Sequence, residues 1–186
     1  MEDCPVPSLV IVLNGASSAG KTSVGRSLQR QLGVGWFLLG TDDLLRAAMP
    51  FEDDPELVMV ANGGVVQTTD VFRQAEATWY RGLAQVATGA PGLIVDEVLL
   101  EGGTSQKRLC SVFADLSMFW VGVVCDLKVG LARERLRRDR VPGMHLHQRE
   151  LVHEGMAYDY VLDTTSLEAE EAAQDLLLQL KARRLV

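Results

Sequence analysis

Apolar residues in this chain come in short unbroken runs, separated by longer stretches with helical spacing. Ser8–Asn14, Trp36–Leu39, Leu93–Asp96, Met118–Cys125 and Tyr160–Asp163 read as buried strands, since each run is brief and bounded by turn residues or polar residues. Thr22–Leu32 places Val24, Leu28 and Leu32 on one side of a helix, and Gly33–Gly35 breaks it. Further helices are predicted at Asp42–Met49, ending before Pro50; from a cap at Asp70 to about Thr88; and at Thr104–Ala114. The pattern also predicts Leu127–Arg140, stopped by Val141-Pro142-Gly143, and Gln148–Gly155. A last helix reaches about Arg183, opened by a capping box of Thr165 and Glu168. Phe51–Thr69 is irregular, but Asn62-Gly63 between two apolar stretches is a hairpin signal. Strands that alternate with helices and read as continuous apolar runs belong to a parallel sheet covered on both faces. The fold class is therefore α/β, and chemistry is expected beyond the carboxyl ends of the strands.

The first strand runs into Gly15-Ala16-Ser17-Ser18-Ala19-Gly20-Lys21-Thr22, which fits GxxxxGK[ST] at every fixed position. Its place between a predicted strand and a predicted helix is the setting that this phosphate loop requires. The glycines let backbone N–H groups turn toward phosphate oxygens, and the helix N-terminus adds its positive dipole end. Lys21 is expected on the β- and γ-phosphates of ATP, and the Thr22 hydroxyl on magnesium. Asp96, ending the third strand, is the expected second magnesium ligand. Asp42, ending the second, is the expected general base for an acceptor hydroxyl. Asp42 and Asp43 have a plainer alternative, since one of them can cap the helix before Leu44.

Arg133, Arg137 and Arg140 recur at helical spacing and share one face, while Arg135 and Arg138 point elsewhere. Such a stripe either neutralises a transferring phosphoryl group, with Arg137 foremost, or is a solvated basic face. The segment 137–150 reads as a lid, with His145 and His147 on its surface.

The 186 residues suit one domain, 1–186, and 47% hydrophobic residues are enough for a sizeable core. A net charge of −7 argues against nucleic acid as a partner but leaves room for a small anionic ligand in a locally basic pocket. The acidic start Met1-Glu2-Asp3-Cys4-Pro5 is unlike a secretory signal, and no apolar run approaches membrane-spanning length. Cys4, Cys110 and Cys125 have no metal-ligand spacing. The expectation is a cytoplasmic enzyme acting on a small hydroxylated molecule, free to form homo-oligomers. An Asn-Lys-x-Asp motif for guanine is lacking, and the chain is short for an ATPase module with a helical lid domain.

The stretches LNGASSAGKTS, LGTDDLLRAAMP, LIVDEVLL, FWVGVVCD, RDRVPGM and LVHEGMAYDYVLDTT, in this order, resemble the chloramphenicol phosphotransferase family. The resemblance implies a three-layer, five-stranded P-loop kinase fold of the nucleoside-monophosphate kinase type, and phosphorylation of the primary hydroxyl of chloramphenicol. It also implies Asp42 as the catalytic aspartate and Arg133, Arg137 and Arg140 as lid arginines. The family pattern carries a small residue where Asp43 stands, and Phe51–Thr69 matches it weakly. Close to this reading stand kinases of acidic metabolites, such as shikimate or gluconate, and toxin-like sugar-nucleotide kinases. A nucleotide-binding regulator without catalysis is the alternative from another class. Phe51, Val58, Val60, Val65 and Trp79, with Arg73 the one base between Phe51 and Trp79, favour a neutral, partly aromatic acceptor.

Overall fold

Strand β1 (Leu9–Asn14) is buried at every position, and its side chains alternate between two cores. A computed structural model describes residues 8–48, 58–61, 63–137 and 141–186. Strands β5 (Gly92–Glu97) and β6 (Ser117–Val124) pair in parallel with β1 on either side. Strand β2 (Trp36–Gly40) lies outside β5, and β7 (Tyr160–Asp163) outside β6. The sheet order is thus β2-β5-β1-β6-β7, with all five strands parallel.

Helices α1 (Lys21–Leu32) and α7 (Ala169–Ala182) cover one face, where Val24, Leu28, Leu176 and Leu180 meet Ile11, Leu13 and Val121. Helices α3 (Asp70–Thr88) and α4 (Gly103–Val112) cover the other, where Tyr80, Leu83 and Leu109 meet Val10, Val12, Leu93 and Val95. This is the expected three-layer α/β architecture. Helix α2 (Thr41–Ala48) follows β2 without a gap. Strands β3 (Val58–Ala61) and β4 (Val65–Thr68) form an antiparallel hairpin at the predicted place. No helix of the described residues is long and apolar enough to cross a membrane.

Four local expectations are corrected. The helix predicted over Leu127–Arg140 is α5 (Leu127–Arg135), capped at Leu136. The helix predicted from Gln148 begins earlier, as α6 (Met144–Leu151). Both changes have one cause. The buried Glu134 carboxylate accepts the N–H groups of Gly143 and His145, each at 2.8 Å, and so ties the start of α6 to the end of α5. The cap of α3 is Thr69, whose hydroxyl accepts the Phe72 N–H, with Asp70 in the first turn. The capping box of α7 is Glu168 with Glu171, one turn beyond the predicted pair; Thr165 instead accepts the Asp126 N–H.

Candidate active site

The phosphate loop leaves the sheet at Gly15, whose N–H donates to the Glu97 carbonyl. It turns through positive φ at Ser18 (62°) and Gly20 (95°). A serine in that region carries strain and is held there by its surroundings. The holding groups come from α6: the Ser17 N–H donates to Gln148 Oε1 at 2.8 Å, and the Ser17 carbonyl lies 2.7 Å from His145 Nδ1. His145 is 1% exposed, which corrects its expected place on a lid surface; His147 is exposed, as expected. The hydroxyls of Ser17 and Ser18 are buried and lack partners among the described residues. Buried hydroxyls of this kind call for a ligand oxygen.

Lys21, which opens α1, is 6% exposed. Its ammonium donates to the Ala16 carbonyl at 2.9 Å and stands 3.9 Å from Asp96 Oδ1. The Thr22 hydroxyl donates to Asp96 Oδ2. The two residues expected around a magnesium ion are therefore adjacent, one from the loop and one from the end of β5. Both offer hard oxygen atoms, the kind that magnesium takes.

The acid pair after β2 divides by role. Asp43 Oδ2 accepts the Gly40 N–H at 2.9 Å, and Asp43 Oδ1 pairs with Arg46 at 3.0 Å. Asp43 is thus the helix-capping acid, while the Asp42 side chain lines the main cavity. Just before it, the Thr41 hydroxyl donates to Glu97 Oε2 and fastens the start of α2 to the end of β5. Glu97 is 1% exposed, and burial pushes its carboxyl up to about 8. The sequence pairs Glu97 with Asp96 as acids facing the crevice; the structure corrects this for Glu97, whose carboxyl is buried against Thr41 and does not line the cavity.

Arg133 is brought to the loop by a single residue at the end of β7. Its Nη1 and Nη2 donate to the hydroxyl and carbonyl of Thr164, at 3.1 and 2.8 Å. The Thr164 hydroxyl in turn donates to the Ala19 carbonyl at 2.7 Å. Arg137 also lines the cavity, but from beyond the end of α5 rather than from a shared helical face. Arg135 is exposed, as expected. Arg138 and Arg140 lie outside the described residues. Gln148, Thr164 and Glu134 were not anticipated; no spacing in the sequence joins them to a loop more than a hundred residues away.

The cavity has a volume of about 1310 Å³. It is lined by residues of the phosphate loop, Asp96, Arg133 and Arg137, and also by Asp42, Val66, Thr68 and Phe72. Val66 rather than Val65 faces it; Val65 is exposed. Phe51 lies outside the described residues. Arg73 is joined there by Arg108 from α4 and by two carboxylates, Glu76 and Glu101.

Known proteins align with this arrangement along nearly the whole chain. The chain is 29% identical over 180 residues to "Putative O-phosphotransferase Rv2636" of Mycobacterium tuberculosis, covering 90% of this chain and 80% of that one. The APS kinase of Mycobacterium tuberculosis, solved with AMPPNP and APS, superposes with a TM-score of 0.63 at 20% identity, over 95% of this chain and 99% of that one. Shikimate kinase from Acinetobacter baumannii, solved with shikimate, gives a TM-score of 0.63 at 21% identity, over 98% and 97% of the two chains. These two structural likenesses concern the fold, which is that of the P-loop kinases. The family model of chloramphenicol phosphotransferase-like proteins matches residues 8–181, so the chain belongs to that family and is a small-molecule kinase.

Proposed function

We propose that this kinase transfers the γ-phosphoryl group of ATP, with magnesium, to a hydroxyl of a neutral small molecule, the primary hydroxyl of chloramphenicol being the leading candidate. One observation carries this reading: Asp42 lines the same cavity as Lys21, Thr22 and Asp96. A carboxylate and a phosphate loop facing one cavity are what in-line transfer to an alcohol requires. Asp42 takes the proton of the acceptor hydroxyl. The freed oxygen bonds to the γ-phosphorus as the bond to the β–γ bridging oxygen breaks, and ADP departs. Lys21, Arg133 and Arg137 hold positive charge against the phosphoryl oxygens throughout. Thr22 and Asp96 would hold the magnesium ion, which when bound neutralises charge on the β- and γ-phosphates. The orphaned Ser17 and Ser18 hydroxyls suit the same phosphate oxygens. On the acceptor side, Leu45, Val66 and Phe72 offer apolar contact, which favours a partly apolar molecule. A cytoplasmic location, where ATP and magnesium are supplied, goes with this reading.

The test is incubation with ATP, magnesium and chloramphenicol, read by mass spectrometry for a product heavier by one phosphoryl group. Lys21→Ala is expected to abolish transfer while the protein stays folded. Wild-type turnover in that variant would remove Lys21 from the reaction. Absence of a chloramphenicol product beside fast phosphorylation of an acidic alcohol such as shikimate would remove the neutral acceptor.

A further inference from the structure

On the α3–α4 side of the cavity, two arginines from different helices converge on one carboxylate. Arg73 Nη1 lies 2.8 Å from Glu101 Oε1, and Arg108 Nη1 lies 2.5 Å from Glu101 Oε2. Arg108 Nη2 also donates to Ser105 Oγ at 2.9 Å, which fixes the fork. All four residues line the cavity, and so does Glu76 on the adjoining helix. Arg73, Arg108 and Glu101 are each partly exposed, so a molecule entering the cavity can reach them. The Arg108 guanidinium bonded to Glu101 holds that carboxyl below its ordinary range, so it is charged at neutral pH.

Two guanidiniums spaced to grip one carboxylate form a ready site for an anion. Here a side chain of the protein itself occupies that site. We infer that Glu101 is an acceptor-selecting residue: it fills the Arg73–Arg108 pair and so closes the cavity to alcohols that bear a carboxylate, sulfate or phosphate group. An anionic acceptor entering the wild-type cavity finds both forks taken and meets the like charge of Glu101. A neutral alcohol needs no free fork and is not repelled by the Glu101 charge. Selectivity by a built-in repulsive group is a common way to separate ligands of similar shape. The inference rests on the phosphotransfer reading of this cavity, and it assigns Glu101 to selection, not to the chemical step.

The experiment compares a matched pair of aromatic primary alcohols, 1,4-benzenedimethanol and 4-(hydroxymethyl)benzoate. Their equilibrium binding is measured in the presence of AMPPNP and magnesium, for wild type, Glu101→Gln and Glu101→Ala. The expected result is a gain of about tenfold or more in affinity for the carboxylate relative to the neutral alcohol in both variants, the worth of one freed charge-assisted hydrogen bond. Adding Arg108→Ala to Glu101→Gln is expected to erase the gain, and a melting curve for each variant establishes that it is folded. The inference is overturned if the carboxylate binds the folded Glu101 variants no better than wild type, or if the gain survives without Arg108. Binding is read without turnover, so a failure of the phosphotransfer reading registers separately, as AMPPNP-competent protein that phosphorylates no alcohol when given ATP.

Discussion

Asp43 commits both carboxylate oxygens to its own surroundings, one to the Gly40 N–H and one to Arg46. Asp42, one position earlier, lines the cavity. The two substitutions should therefore separate cleanly. Asp42→Asn keeps shape and hydrogen bonding but cannot take a proton, so kcat is expected to fall by about 10²–10⁴-fold with nucleotide affinity nearly unchanged. Asp43→Asn still caps the helix and loses only an exposed ion pair, so about 1 kcal/mol or less of stability and little of the rate should go. Steady-state kinetics of both variants decides the matter, and a large loss confined to Asp43→Asn would exchange their roles. Glu97 supports a prediction about pH. Its carboxyl is raised to about 8 chiefly by burial, while the unfolded chain ionises near the ordinary carboxylate value. Between those two values the folded state holds the proton more tightly, so folding is opposed increasingly as pH rises and the penalty is complete above about pH 8. Each unit of difference is worth about 1.4 kcal/mol. Glu97→Gln removes the ionisable group while keeping an acceptor for Thr41. In metal-free buffer its Tm should therefore gain on wild type between pH 5 and pH 9. A Tm difference that stays flat across that range would show that burial of this carboxyl costs nothing.

Helices α5 and α6 act as one brace because Glu134 joins them, and the brace reaches the phosphate loop through Gln148 and His145. Glu134→Ala would leave the Gly143 and His145 N–H groups without their acceptor in a buried setting. A cost of about 2–4 kcal/mol is expected from two such groups, together with weaker nucleotide binding as Ser17 loses its support. Arg135→Ala, on the exposed neighbour, should change neither property by much. Chemical denaturation and nucleotide titration of both variants test this, and equal effects would dissolve the brace. The same helices mark where reading from sequence stops. The apolar pattern and the Pro142-Gly143 signal locate α5, and they extend it to Arg140 because nothing local forbids another turn. What ends it at Arg135 is a carboxylate bonding to residues nine and eleven positions ahead, a tertiary event with no periodicity. The arginine stripe fails as a helical face for that reason, yet Arg133 and Arg137 still reach the cavity. The strand–loop–helix setting of the phosphate loop, by contrast, was legible, since one contiguous motif between two local elements carries it.

At the scale of the whole molecule, the parallel sheet was readable because runs such as Val10–Leu13 and Leu93–Val95 are apolar on both faces. The acceptor side of the cavity was not, since Arg73, Glu101 and Arg108 meet only once the strand order places α3 beside α4. The hairpin belongs to the same assembly. Its turn at Gly63-Gly64 presses against the start of α6: a Cβ added at Gly64 would lie 2.2 Å from the Met144 backbone nitrogen, and one at Gly143 would lie 2.3 Å from the Gly63 carbonyl oxygen. Backbone meets backbone there, between the hairpin that supplies Val66 and Thr68 and the helix that supplies Met144 and Gln148 to the same cavity. Gly64→Ala must force the two apart. It also introduces a side chain at φ 83°, which by itself costs about 1–2 kcal/mol. Gly33→Ala separates the two effects, because Gly33 has φ 96° but nothing within 4 Å of an added Cβ. Both variants should lose similar stability from backbone strain. Only Gly64→Ala should raise the KM of the acceptor, while Gly33→Ala should leave both the acceptor KM and nucleotide affinity near the wild-type values. If the acceptor KM of Gly64→Ala matches that of Gly33→Ala, the hairpin does not shape the acceptor site through its contact with α6, and binding of the acceptor must rest on the α2–α3 wall alone.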